Sequence, residues 1–173
     1  MPSLKDSTFG GTVVYLCEHS ANGALGVIVN RPTNLTLNDL LSRLELSPEI
    51  DVPITHSIMF GGPVQDNRGF VLHSPPGSFS SMLRVTDEIG FTTSKDVIES
   101  IASGRGPSKF LVSIGYSGWS AGQLEDEIKQ NGWLTVPANE KIIFDCPIDE
   151  RYRAAYALLG INPTNLYSAA GNA

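Results

Sequence analysis

A serine framed by glycines is the first place to look for a nucleophile. Gly118-Trp119-Ser120-Ala121-Gly122 carries the letters of the G-x-S-x-G elbow, in which a strand-to-helix turn exposes a serine hydroxyl. Residues 109–116 have the apolar content of a buried strand and residues 123–130 the pattern of a helix, so the context suits an exposed hydroxyl. The order of the histidines does not. His19, His56 and His73 all precede Ser120, whereas an α/β-hydrolase supplies its histidine after the serine, and the chain is short for that fold. A tight turn is the plainer reading of the five letters, and it is preferred.

Metal chemistry would draw on Cys17 and His19, expected on one face of a strand with Glu18 opposite, and on His73 from another strand. The paired spacing of a zinc site is missing, so no metal or other cofactor is assigned. Gly61-Gly62-Pro63-Val64 could bring backbone N–H groups near an anion, but it lacks the helix and the Lys-Ser/Thr ending of a phosphate loop. A strand-end turn is preferred there as well. Gln123, Glu127 and Gln130 line one side of a helix beside Trp119 and read as a ligand surface or as a solvated face. Glu18 with Glu125, Asp126 or Glu127 gives no acid/base pair whose separation the sequence fixes.

Composition narrows the function classes. The 173 residues, 41% of them hydrophobic, are enough for one domain with a substantial core. Twelve basic against eighteen acidic residues give a formal net charge of −6, which disfavours direct nucleic-acid binding. Arg151 and Arg153 form the one close basic pair on a helix. Two well-separated cysteines, Cys17 and Cys146, indicate reduced thiols rather than a disulfide framework. No apolar run is long enough for a membrane span, and the first residues lack the pattern of a signal peptide, so a cytoplasmic protein is expected.

The elements that must position these residues follow from periodicity and turn chemistry. Residues 12–18 and 24–30 are apolar, β-branched runs joined by a polar, Gly-containing turn and read as paired strands. Leu37, Leu40, Leu41 and Leu44 have helical spacing, with Thr36 as the cap and Asp39 three residues on. Strands are expected at 57–61 and 69–73 around a turn over 62–68, followed by a Pro-rich loop at 74–77. Ser94 opens a helix carrying Val97, Ile98 and Ile101, which Gly104 ends. Glu125 and Lys129 are expected to pair on the helix over 123–130. Further strands are expected at 133–136 and 141–144, then a helix near 149–159. Hairpins interleaved with short helices predict a single compact α+β domain over 1–173, with a hairpin-rich mixed sheet and short flanking helices.

Several segments also stand together in an order that resembles the AlgH/YqgE family of bacterial proteins. They include Leu16-Cys17-Glu18-His19, Gly23-Ala24-Leu25-Gly26, Asn30-Arg31-Pro32, Gly61-Gly62-Pro63-Val64, Gly69-Phe70-Val71-Leu72-His73-Ser74 and Gly115-Tyr116-Ser117-Gly118-Trp119 with Gly122-Gln123-Leu124-Glu125. The resemblance covers nearly the whole chain. It implies an α+β fold and carries no established catalytic residues, and some members are described as transcriptional regulators. Members usually have a short apolar stretch before the segment matching Met1-Pro2-Ser3-Leu4, so a first strand is expected to be missing here. Many end in Gly-His-Ala where this chain has Gly171-Asn172-Ala173.

Three functions compete on these grounds. The preferred one is a non-enzymatic regulator acting indirectly, through a protein partner or a small ligand. The second is a small hydrolase or ligand-binding enzyme using Ser120 or a Cys17/His19/His73 site. The third is an interaction module anchored on Trp119 and Trp133. The candidate ligand or partner surface comprises Glu18, His19, Asn30, Arg31, Gly61, Gly62, His73, Trp119, Gln123 and Glu127.

Overall fold

The computed structural model describes residues 7–160. Its strands are β1 (Val14–Ser20), β2 (Gly23–Ile28), β3 (Pro32–Thr36), β4 (Ser57–Phe60), β5 (Val64–Ser74), β6 (Met82–Arg84), β7 (Gly90–Thr92) and β8 (Lys109–Ser120). Its helices are α1 (Leu37–Arg43), α2 (Lys95–Ala102), α3 (Gln123–Lys129) and α4 (Arg151–Ala157), with a π-helical turn at Lys141–Asp145 and a 3-10 turn at Ile148–Glu150. The strands form one mixed sheet in the order β1-β2-β8-β5-β7-β6, with β3 paired to β4 and β4 parallel to β8. This is the expected α+β architecture.

The long strand β8 organises the sheet. Its first part pairs with β5 from Lys109 to Tyr116, and its end, Ser117–Ser120, pairs with β2. Strand parity then sorts the core into two layers, because successive side chains face opposite sides of a strand. Phe70 and Leu72 of β5 and Leu111 of β8 join Tyr15, Val27 and Val29 on one face, where Ile143 of the π-helical turn covers them. Val71 and Val112 point to the other face and pack under Leu37 and Leu41 of α1 and Val97, Ile98 and Ile101 of α2. Each face buries an apolar layer, so the middle strands read as continuous hydrophobic runs.

Local chemistry accounts for the element starts. The Thr36 side chain accepts from the Asp39 amide while the Asp39 carboxylate accepts from the Thr36 amide, a complete capping box for α1. These bonds hold Asp39 below the usual carboxylate range. At α2 the Ser94 side chain makes no cap bond to the helix and donates instead to Asp96.

Several expectations are corrected. Residues 64–68 are the first part of β5 rather than a turn, with an irregular register between Val64 and Gly69. Residues 133–136 and 141–144 form no strands: the first are irregular and the second lie in the π-helical turn, crossing a sheet face instead of joining an edge. Lys129 pairs with Asp126, not Glu125. The short strands β3, β6 and β7 are additions. The expectations about the segment before Ser7 and about Gly171-Asn172-Ala173 lie outside the described residues.

Candidate functional site

The end of the sheet where β2 and β8 meet carries a third apolar cluster, Trp119, Leu124 and Trp133, with Phe9, Val14, Ala24 and Ile128 against it. Trp119 leaves β8 opposite Ala24, and Gly26 on the neighbouring strand lets the Val14 side chain and the Tyr15 carbonyl of β1 come close, since a Cβ there would stand 2.6 Å from Val14 Cγ1. The two indoles meet edge to face at 5.8 Å, and Phe9 meets Trp133 in the same way at 5.6 Å. Glu127, one turn along α3 from Gln123, ties the rings together. Its Oε2 accepts from the Trp119 indole at 2.9 Å and from the Trp133 indole at 2.7 Å, while Oε1 accepts from Gln123 at 3.0 Å. Gln123 in turn accepts from the Ser120 amide. Within the polar row, Glu127 supports the two tryptophans and Gln123 supports Glu127, while Gln123 and Gln130 remain exposed.

Beside this cluster lies a cavity of about 430 Å³. Its walls are residues 12–16 around the start of β1, the inner side of α3, the irregular chain 133–139, Ile142 and Ile143 of the π-helical turn, and Tyr152, Ala155 and Tyr156 of α4. The size is that of a small-molecule site, and the lining is predominantly aliphatic and aromatic. Polar side chains are few: Thr12, Thr135, Asn139, His19 and the tyrosines at 15, 152 and 156. The Tyr15 hydroxyl has no hydrogen-bond partner among the described residues. Its pKa is raised to about 12, by burial first and then by Cys17 and Glu140, so it stays a neutral donor. His19 stands at the rim, where Nε2 lies 2.6 Å from Glu125 Oε1. That bond holds Glu125 below the usual carboxylate range.

The other candidate residues take different places. Asn30 and Arg31 clamp the chain before β1: Asn30 Oδ1 accepts from the Val13 amide at 2.7 Å and its Nδ2 donates to the Gly11 carbonyl, while Arg31 donates to the Ser7, Thr8 and Gly10 carbonyls. Gly61 and Gly62 pack against the backbone of β8, and the Gly61 amide donates to Ile114 and its carbonyl accepts from Ser117. Glu18 is exposed. Of the ten residues, His19 and Trp119 line the cavity and Gln123 and Glu127 support it; the other six do not contribute to its walls.

Both catalytic constellations come apart. Ser120 is the last residue of β8, paired with Gly23, and Gly122 opens α3 in a left-handed conformation. His19, on neighbouring β1, bonds to Glu125 and not to Ser120. Cys17, His19 and His73 do not converge, because a register irregularity between Leu16 and Glu18 breaks the alternation that would put Cys17 and His19 on one face. Cys17 is buried, with its thiol pushed up to about 12 by desolvation, and His19 is exposed. No group of three metal-ligating side chains occurs among the described residues.

His73 is fully buried on β5, its ring between the Thr92 hydroxyl at 2.8 Å and the Pro75 carbonyl at 3.0 Å. Desolvation lowers its pKa, opposed in part by the Pro75 bond. A histidine kept neutral in the fold lets the unfolded chain take up a proton first. Stability is then complete above about pH 6.5 and falls as the pH drops from there toward the lower folded-state value. Thermal unfolding between pH 7.5 and 5 is expected to show this loss, and His73→Gln to flatten it; an equal slope in the variant would assign the effect to other groups, His56 first among them.

Comparison with known proteins now adds to the geometry. A family model described as AlgH-like, a domain of unknown function, matches residues 1–164. The chain belongs to the AlgH-like family. It is 54% identical over 173 residues to a UPF0301 protein of Ralstonia pickettii, covering all of this chain and 91% of that one. A UPF0301 protein of Paraburkholderia xenovorans is also 54% identical, over 176 residues with the same coverage. The solution structure of AlgH from Pseudomonas aeruginosa superposes with a TM-score of 0.80 at 46% identity, covering all of this chain and 92% of that one. Protein DIP2367 of Corynebacterium diphtheriae shares the fold, with a TM-score of 0.62 at 18% identity over 81% of this AlgH-like chain and 73% of that one.

Proposed function

We propose that this protein is a non-enzymatic regulator whose input is a small, largely apolar ligand held in the cavity beside Trp119 and Trp133, and whose effect on transcription passes through a protein partner. The observation that carries the reading is the cavity itself: about 430 Å³, aromatic and aliphatic walls, and a neutral phenol at Tyr15 able to donate to one polar atom of the ligand. The net charge of −6 argues against DNA as the direct partner. Arg151, half of the basic pair on α4, is buried against backbone carbonyls and is not displayed for phosphate contacts. Free cysteines at 17 and 146 suit the reducing cytoplasm. The chemistry of catalysis is not assembled at Ser120, and the regulatory reading needs none.

The chain's two tryptophans both line this cavity, so they report on its occupancy. A neutral apolar dye such as N-phenyl-1-naphthylamine is expected to bind saturably at about one site per chain and to draw energy from the tryptophan emission. Ala155→Leu, which fills the α4 wall, is expected to weaken binding at least about fivefold, since overlap in a packed site costs about 1–3 kcal/mol. Unsaturable dye partition, or unchanged affinity in a folded Ala155→Leu protein, would rule the site out.

A further inference from the structure

A second, smaller cleft lies where the start of α4 meets β4 and β8. It has a volume of about 30 Å³ and is walled by Met59, Phe110, Phe144 and Ile148 with Arg151, His56 and Ser57. Arg151 is only 7% exposed. Its Nε donates to the Cys146 carbonyl at 3.0 Å and its Nη1 to the Val29 carbonyl. Nη2 makes no hydrogen bond to the described residues and is reached from the cleft rather than sealed in the core. No carboxylate of the described residues reaches the guanidinium: Asp145 pairs with Lys109, and Asp149 and Glu150, just before Arg151, are exposed and make no ion pair with it.

A buried charge left without a counter-charge is costly, and carbonyl dipoles offset only part of that cost. The remaining groups of the cleft repeat the pattern. The His56 ring sits at its mouth, edge-on to Phe110, and Ser57 adds a hydroxyl that bonds to nothing else among the described residues. All three polar side chains can donate, and none of them is negative. The space is enough for about two water-sized spheres, which admits a halide or a one-carbon carboxylate.

We infer that the Arg151, His56 and Ser57 cleft binds one small monovalent anion, a halide or a one-carbon carboxylate. The apolar walls favour a weakly hydrated ion, and the volume excludes sulfate and phosphate. Desolvation lowers the Arg151 pKa, a penalty that an anion against Nη2 would relieve. Since Tyr152, Ala155 and Tyr156 on the same helix wall the larger cavity, an anion here would also fix the position of that wall. The inference is independent of the ligand proposed for the large cavity.

The test uses the whole chain. Protein freed of chloride is titrated with chloride while the chlorine-35 line width is followed, and crystals are soaked in bromide for anomalous scattering. Expected are saturable broadening reversed by bromide or formate but not by sulfate at equal ionic strength, and a bromide peak in the cleft within hydrogen-bond distance of Arg151. Arg151→Gln is expected to weaken chloride at least about tenfold. Should that variant fail to fold, Ser57→Ala with His56→Phe removes the other two donors and is expected to weaken chloride by several fold. Broadening that does not saturate, or a wild-type crystal without bromide in the cleft, would overturn the inference, as would undiminished binding in a folded variant.

Discussion

Gly62→Ala is expected to destabilise the protein by about 3 kcal/mol or more, a large fraction of the stability typical of a small domain. Gly62 has φ +150, and a Cβ built on it would stand 2.3 Å from the Tyr116 carbonyl carbon and oxygen and 2.4 Å from the Ser117 amide. These are backbone atoms of the central strand and cannot turn aside as a side-chain tip would. Gly61 meets the same obstacle 2.3 Å from the Gly115 carbonyl, so the pair lets one chain lie directly on another. Gly69 supplies the control. It has no atom within 4 Å of a built Cβ and no positive φ, and Gly69→Ala is expected within about 0.5 kcal/mol of wild type. Urea unfolding of the three proteins measures both differences, and equal midpoints for Gly62→Ala and wild type would mean that β8 does not run against this loop.

The same glycines show how much of the molecule was legible in the sequence. Gly61-Gly62 was readable as a place of close approach, but whether the approaching group is an anion or another strand depends on β8, more than fifty residues away. Local signals read well: Thr36 and Asp39 specify the start of α1 without outside help, and the β1–β2 hairpin follows from two apolar runs and a polar turn. Where the outcome depends on partners, the sequence is silent or misleading. β6 and β7 have three residues each, and β7 exists because β5 offers an edge, as β6 does because β7 offers the next. Residues 133–136 and 141–144 have strand-like composition, yet Trp133 is drawn to Glu127 and Ile143 to the core face, which takes the chain across the sheet.

The candidate site divides in the same way. Trp119, Gln123 and Glu127 lie within nine residues, so their grouping beside one helix was visible from spacing alone. The cavity was not, because its walls come from the start of β1, from α3, from the irregular 133–139 chain and from α4. A row of tyrosines at 152 and 156, one helical turn apart, was the available hint of an aromatic wall. Asn30 and Arg31 stood out as a motif for a different reason: both spend their side chains on carbonyls and an amide of the segment before β1.

Glu127→Ala is the second large effect expected, a loss of about 3 kcal/mol. Trp119 and Trp133 are 8% and 9% exposed, and both indole N–H groups depend on the one Oε2. Removing it leaves two largely buried donors unsatisfied, each costing about 1–3 kcal/mol, with the Gln123 bond lost as well. Glu127→Gln separates acceptor from charge. Its amide oxygen can still receive both indoles, while its NH₂ faces the Gln123 amide nitrogen, so a loss of about 1 kcal/mol is expected. No cation pairs with Glu127 among the described residues, which leaves hydrogen bonding, not ion pairing, as the source of its effect. If glutamine and alanine proved equally damaging in urea unfolding, the charge itself would be the stabilising element and this account of the indole pair would fail. The dye assay extends the test from stability to site: with the rings no longer held at 5.8 Å, binding in the cavity is expected to weaken in Glu127→Ala and to survive in Glu127→Gln. That pattern would tie the polar row of α3 to the ligand through the tryptophans it positions.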